Sequence, residues 1–165
     1  MAEVPWLVMK FGGTSIGNLL DTITHNIIPK YLKLYNVAVV CSARSGTSKS
    51  KGTSSLLLEA IYLSTSDETS TVELDQIIDT IKDDHIGAAR SALSRGIEPV
   101  HDDSLLEELE KHIRTDCEQL RSLLKAAWTV GELSTRVQDR VLAVGEKLAC
   151  RIVVASLQKN ARNRF

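Results

Sequence analysis

The run Val8-Met9-Lys10-Phe11-Gly12-Gly13-Thr14-Ser15-Ile16-Gly17 (VMKFGGTSIG, residues 8–17) joins an apolar, strand-like stretch to a helix through two glycines and two hydroxyls. A simple corner needs one glycine and no lysine inside the apolar run. Backbone amides at a glycine-rich turn that opens a helix form an anion site, helped by the helix dipole. Glycines let phosphate oxygens approach the backbone, Thr14 and Ser15 add hydroxyl donors, and Lys10 adds a compact positive charge. The run is neither a Walker loop nor a dinucleotide fingerprint, because GxxxxGK[ST] and GxGxxG are both absent. On spacing alone, a plain strand-to-helix turn with a surface lysine stays open beside the phosphate reading.

Outward from this turn, residues 6–11 read as a buried strand. In the helix beyond it Leu19, Leu20, Ile23, Ile27 and Ile28 recur at helical spacing, and Pro29 ends or bends that helix. Residues 37–41 (VAVVC) are a continuous apolar run, as in a strand buried on both faces. The three elements make a parallel strand-helix-strand unit with a right-handed crossover. Residues 42–54 (SARSGTSKSKGTS) follow as a polar loop, in which Ser42, Ser45, Thr47 and Ser48 offer hydroxyls and Arg44, Lys49 and Lys51 offer charge. Thr53 or Ser54 caps the next helix, residues 55–64. Both polar loops therefore sit at the carboxyl edge of the strands, where open α/β sheets bind ligands. A flexible solvated loop is the competing reading of the second.

From about residue 72 the pattern is helical, with Leu74, Ile77, Ile78 and Ile81 forming a stripe, and with further helices over about 104–128 and 132–157. Gly96 with Pro99, and then Gly131, separate these helices. The closing QKNARNRF is polar and basic, and is expected to fray. Gly-Glu occurs at 131–132 and at 145–146, roughly four helical turns apart. Glu132 reads as an ordinary first-turn acid. Glu146 lies in sequence among Val144, Leu148 and Ala149, an apolar setting that makes an unpaired carboxylate expensive. It is the better ligand candidate, with an internal ion pair to Arg136 or Arg140 as the structural rival.

Composition is that of a soluble globular domain: 165 residues, 43% hydrophobic and 25% charged. A net charge of −1 and 4% aromatic residues argue against nucleic acid as a partner. Cys41, Cys117 and Cys150 are odd in number and far apart, which favours reduced thiols over a disulfide framework or a zinc site. The four histidines form no metal-ligand pairing, so no metal site is expected, and no nucleophile-base pair stands out. With no signal-peptide pattern and no apolar run near the roughly 20 residues that span a bilayer, the expectation is a cytoplasmic chain with no membrane partner. Two strands are too few for a doubly wound sheet, so the sheet is expected to be completed beyond Phe165.

KFGGTS, VVCSARSG and VGEKLA, in that order and spacing, resemble the aspartokinases of the amino acid kinase family. The wording of residues 37–54 and 131–150 is similar to the fungal branch, and the resemblance covers about residues 6–157. It implies an α/β fold of the amino acid kinase (carbamate-kinase-like) type, N-terminal part only. The division expected is a strand-helix-strand phosphate-binding part over 1–58 and a mostly helical part over 72–157, without the ATP-binding C-terminal part or the ACT regulatory domains. The implied reaction moves the ATP γ-phosphoryl group to the β-carboxylate of L-aspartate, giving 4-phospho-L-aspartate on the way to threonine, methionine and lysine. Such a nucleophile is ionised already and needs no general base.

Carried over motif by motif, Lys10 would hold the transferring phosphoryl group. Gly12, Gly13, Thr14 and Ser15 would hold the ATP phosphates. Ser42, Ser48 and Glu146 would hold aspartate, Ser48 standing where the family usually has threonine. ATP would enter with Mg2+ held mainly by its phosphates. Full-length family members are expected to be homo-oligomers. The segment alone is not expected to turn over ATP. An acetylglutamate-kinase-like carboxylate kinase, or a non-catalytic piece that associates with full-length subunits, are the alternatives.

Overall fold

The computed structural model describes residues 3–45, 52–66, 71–94 and 103–162. Strand β1 (Trp6–Phe11) pairs in parallel with β2 (Asn36–Cys41), Trp6 opposite Asn36 and Phe11 opposite Cys41. Among the described residues these two strands form the whole sheet. They are joined by α1 (Gly13–Asn18), a π-helical stretch (Thr22–Ile27) and the short α2 (Ile28–Tyr31). Pro29 lies inside a continuous helical stretch over residues 20–31 and does not end it, although its missing N–H removes one bond from the ladder. The turns immediately before it are π-helical, and there the Thr24 carbonyl accepts from the Asn160 side chain.

Four helices follow: α3 (Thr53–Leu63), α4 (Thr71–Ser94), α5 (Asp103–Val130) and α6 (Thr135–Arg162). The α4 stripe is buried at Leu74, Ile78 and Ile81 and continues through His85, Ile86 and Ala89. It packs with Leu57 of α3, Ile113, Cys117 and Leu124 of α5, and Val141 and Leu148 of α6 to form the larger core. A second cluster joins Ile16, Ile23, Ile28 and Cys41 to Ala149 and Val153 of α6, with Met9, Phe11 and Val39 packed against it. Helix α6 thus fastens the helical bundle to the sheet, each fully buried aliphatic side chain contributing about 1.5–3 kcal/mol. Between α5 and α6, Gly131 takes a positive φ of 75°, which is cheap only for glycine, and its amide closes on the Ala127 carbonyl. No helix of the described residues is long and apolar enough to cross a membrane.

Several expectations are corrected. The run at 37–41 is not buried on both faces: helices cover one side of the sheet, while Trp6 (73% exposed), Val8 (67%) and Val40 (50%) stand open on the other. The last helix begins at Thr135 rather than 132, leaving Glu132 in the loop before it. The polar tail is helical through Arg162, and buried Asn160 donates its side-chain N–H to the Thr24 carbonyl at 3.1 Å. The break expected at Gly96 and Pro99 lies outside the described residues.

Candidate functional site

Helix α1 opens inside the glycine pair. Gly12 is its N-cap, extended at φ −74° and ψ 162°, and no side chain caps it. The first intrahelical bond runs from the Ile16 amide to the Gly12 carbonyl at 3.0 Å. The amides of Gly13, Thr14 and Ser15 accordingly find no acceptor among the described residues. Lys10 lies on the exposed face of β1, and its Nζ stands 3.9 Å from where a Cβ on Gly12 would be. No ion-pair partner occupies that ammonium among the described residues.

The second loop is tied against this turn. The Ser42 amide donates to the Phe11 carbonyl at 3.0 Å and the Ser45 amide to the Gly13 carbonyl at 3.1 Å, while the Thr14 and Ser45 hydroxyls lie 3.3 Å apart. A Cβ on Gly13 would fall 2.2 Å from the Ala43 carbonyl oxygen, so this crossing admits only glycine. Helix α3 also begins here, with Gly52 as an extended N-cap and no side-chain cap. Thr53, expected as a cap, uses its amide and hydroxyl on the Arg44 carbonyl at 3.1 and 2.9 Å, and so tethers the loop to the helix. Two helix N-termini therefore flank residues 42–45 at the carboxyl edge of the sheet.

The Arg44 charge does not point freely into this site, because its guanidinium is bonded to Asp84 of α4. That clamp was not legible in advance, and Asp83-Asp84 within the helical run was its only signal. On α6, Gly145 presses into the same loop: a Cβ there would lie 2.9 Å from the Ala43 Cβ and 3.1 Å from Leu57 and Thr53 side-chain carbons. Its neighbour Glu146 is exposed, which corrects the apolar setting read from the sequence, and it makes no ion pair with Arg136 or Arg140. The structure brings the first loop, the second loop and the residue preceding Glu146 together. No hydrogen bond or ion pair among the described residues joins Lys10, Ser42 and Glu146. Ser48 lies outside the described residues, as do Thr47, Lys49 and Lys51.

Behind the loops α6 is held by charge. Asp116 of α5, only 5% exposed, accepts from Lys147 Nζ at 2.9 Å and from Arg151 Nε at 2.7 Å. Burial works to raise the Asp116 carboxyl, but the two cations overcome it and hold it below the usual carboxylate range. His85 is fully buried; its Nδ1 donates to the Ile81 carbonyl at 2.7 Å and its Nε2 has no partner among the described residues. Burial lowers its pKa, and the ring is neutral. No group of three or more metal-ligating side chains occurs among the described residues.

No protein-family model matches the chain. Among curated proteins it is 37% identical over 158 residues to an aspartokinase of Candida albicans, covering 96% of this chain and 27% of that protein. It is 36% identical over 154 residues to an aspartokinase of Schizosaccharomyces pombe, covering 93% of this chain and 28% of the relative. An aspartokinase of Saccharomyces cerevisiae matches at 36% over 154 residues, covering 91% and 27%. Over more than nine-tenths of its own length the chain is homologous to fungal aspartokinases, and it spans about a quarter of theirs.

Proposed function

We propose that the chain is the N-terminal part of an aspartate kinase of the amino acid kinase fold, and that it supplies the phosphate-gripping half of that enzyme's site. The observation that carries the reading is that the amides of Gly13, Thr14 and Ser15 find no acceptor among the described residues, while the Lys10 ammonium reaches the Gly12 that opens their turn and has no ion-pair partner among those residues. Amide donors plus one compact cation suit a polyphosphate, and no carboxylate competes within the turn. The nucleotide would bring Mg2+ on its own phosphates, and the turn fits that division: it holds amides and hydroxyls and no carboxylate that would bind the ion by charge.

In the reaction an aspartate β-carboxylate oxygen attacks the γ-phosphorus, the bond to the bridging oxygen breaks, and ADP leaves with that electron pair. The attacking group is anionic at neutral pH, so the protein has only to align it and to neutralise charge. Lys10 does the second at the transferring phosphoryl group, with the glycine-turn amides on the remaining phosphates. Ser42 and Glu146 hold aspartate, the carboxylate of Glu146 facing the substrate ammonium. An exposed acid with no ion-pair partner among the described residues suits that pairing.

The reading is tested by calorimetric titration of the chain with Mg·ATP and, separately, with L-aspartate. Lys10→Met should weaken the nucleotide and leave aspartate unchanged, and Glu146→Gln should do the reverse. Equal loss of both ligands in either variant, or loss of neither, would contradict these roles.

A further inference from the structure

Cys41 ends β2 and Cys150 stands on α6, and both belong to the small cluster that joins sheet to helix. Cys41 is buried, Cys150 only partly so, and the two are neighbours in the packing between β2 and α6. Cys150 also lines a groove of about 410 Å3 between α5 and α6, beside Leu109, His112, Lys147 and Arg151. It thus meets solvent on one side and Cys41 on the other. Cys117 is fully buried in the larger core.

We propose that Cys41 and Cys150 are a dithiol site that a hydroperoxide closes into an intramolecular disulfide, locking the end of β2 to α6. The oxidant enters by the α5/α6 groove. The Cys150 sulfur attacks the terminal peroxide oxygen, the O–O bond breaks, an alcohol or water leaves, and Cys150 becomes a sulfenic acid. The Cys41 sulfur then attacks the Cys150 sulfur, the S–O bond breaks, and the departing hydroxide takes the Cys41 proton as water. Two thiols and one hydroperoxide give one disulfide, one alcohol and one water.

Burial, with Cys150 alongside, pushes the Cys41 thiol up to about 12. Cys41 is therefore protonated at neutral pH, and the second step quickens as pH rises. Ser42 directly follows one sulfur's residue and Glu146 stands one helical turn before the other. The link would fix the spacing of the two groups assigned to aspartate; that consequence rests on the proposed function, whereas the disulfide itself does not.

The test is hydrogen peroxide treatment of the whole chain, denaturation, alkylation of the remaining thiols and peptide mapping. The expected result is loss of two of the three alkylatable thiols, a Cys41–Cys150 linked peptide lighter by two hydrogens, and reversal by dithiothreitol. Cys150→Ser should keep both remaining thiols alkylatable. Cys41→Ala, which preserves an apolar side chain, should leave a sulfenic acid at Cys150 that dimedone traps. Three alkylatable thiols after oxidation of the wild type, a link through Cys117, or links found only between two chains would overturn the proposal. Loss of aspartate binding on oxidation is a separate readout, and its absence would count against the kinase assignment of Ser42 and Glu146 but not against the disulfide.

Discussion

Gly145 rests on Ala43 so closely that a Cβ on the glycine would come 2.9 Å from the alanine Cβ. This contact sets the distance between α6 and the loop after β2. Gly145→Ala is expected to destabilise the chain by about 1–3 kcal/mol through overpacking. Adding Ala43→Gly should recover part of that loss, and only part, because Leu57 and Thr53 remain 3.1 Å from the new methyl. Urea unfolding of the two single variants and the double variant checks this; strictly additive losses would show that the contact is not what limits position 145.

Gly13→Ala should be worse tolerated than Gly145→Ala. Its methyl would meet the Ala43 carbonyl oxygen at 2.2 Å, and backbone yields less readily than the end of a side chain. The expected loss is at or above the upper end of the same range, about 3 kcal/mol. A thermal melt of Gly13→Ala that matches the wild type would contradict the close crossing of the two loops.

His85 makes stability sensitive to mild acid. Burial lowers its pKa, so between the unfolded value of 6.5 and its folded value the unfolded chain binds the additional proton. Its contribution is complete above about pH 6.5 and is lost as pH falls below it. His85→Met should flatten the stability profile between pH 7 and 5 without changing the steeper fall below about pH 4. That lower fall belongs to carboxylates held down by cations, Asp116 among them. Denaturant midpoints across pH for both proteins give the comparison, and an unchanged slope in the variant would refute the assignment.

Arg151 and Lys147 both hold Asp116, but Arg151 makes two hydrogen bonds to it, at 2.7 and 3.3 Å, against one from Lys147. Arg151→Met is therefore expected to cost more stability than Lys147→Met, about 1.5–3 kcal/mol against about 1. The reverse order in unfolding measurements would mean that the exposed lysine is the anchor.

The strand-helix-strand unit was legible because its signals are local: an apolar run, a glycine turn, a second apolar run of β-branched residues. What those runs could not report was which faces would be covered. Val37 to Cys41 reads as doubly buried, yet among the described residues only two strands pair, and helices lie on one side. Glu146 was misread for a related reason. Apolar neighbours in sequence lie on other sides of a helix, about 100° apart per residue, so Leu148 and Ala149 are buried while Glu146 faces out. Thr53 looked like a cap because hydroxyls at that position usually bond forward; here its hydroxyl reaches Arg44 across the loop, a contact set by tertiary packing. Of the aspartokinase-like motifs, the first is the best readable, because free amides at a glycine turn follow from local geometry alone.

Phosphate at the amides of Gly13, Thr14 and Ser15 is what the proposed function requires. The direct measurement is the amide nitrogen-proton spectrum of the chain during titration with Mg·ATP. The resonances of Gly13, Thr14 and Ser15 should move together and saturate, and Lys10→Met should weaken the apparent affinity about tenfold or more, the scale of a lost charge-assisted contact. Saturating nucleotide that leaves those three resonances in place, or that binds Lys10→Met as tightly as the wild type, would contradict it.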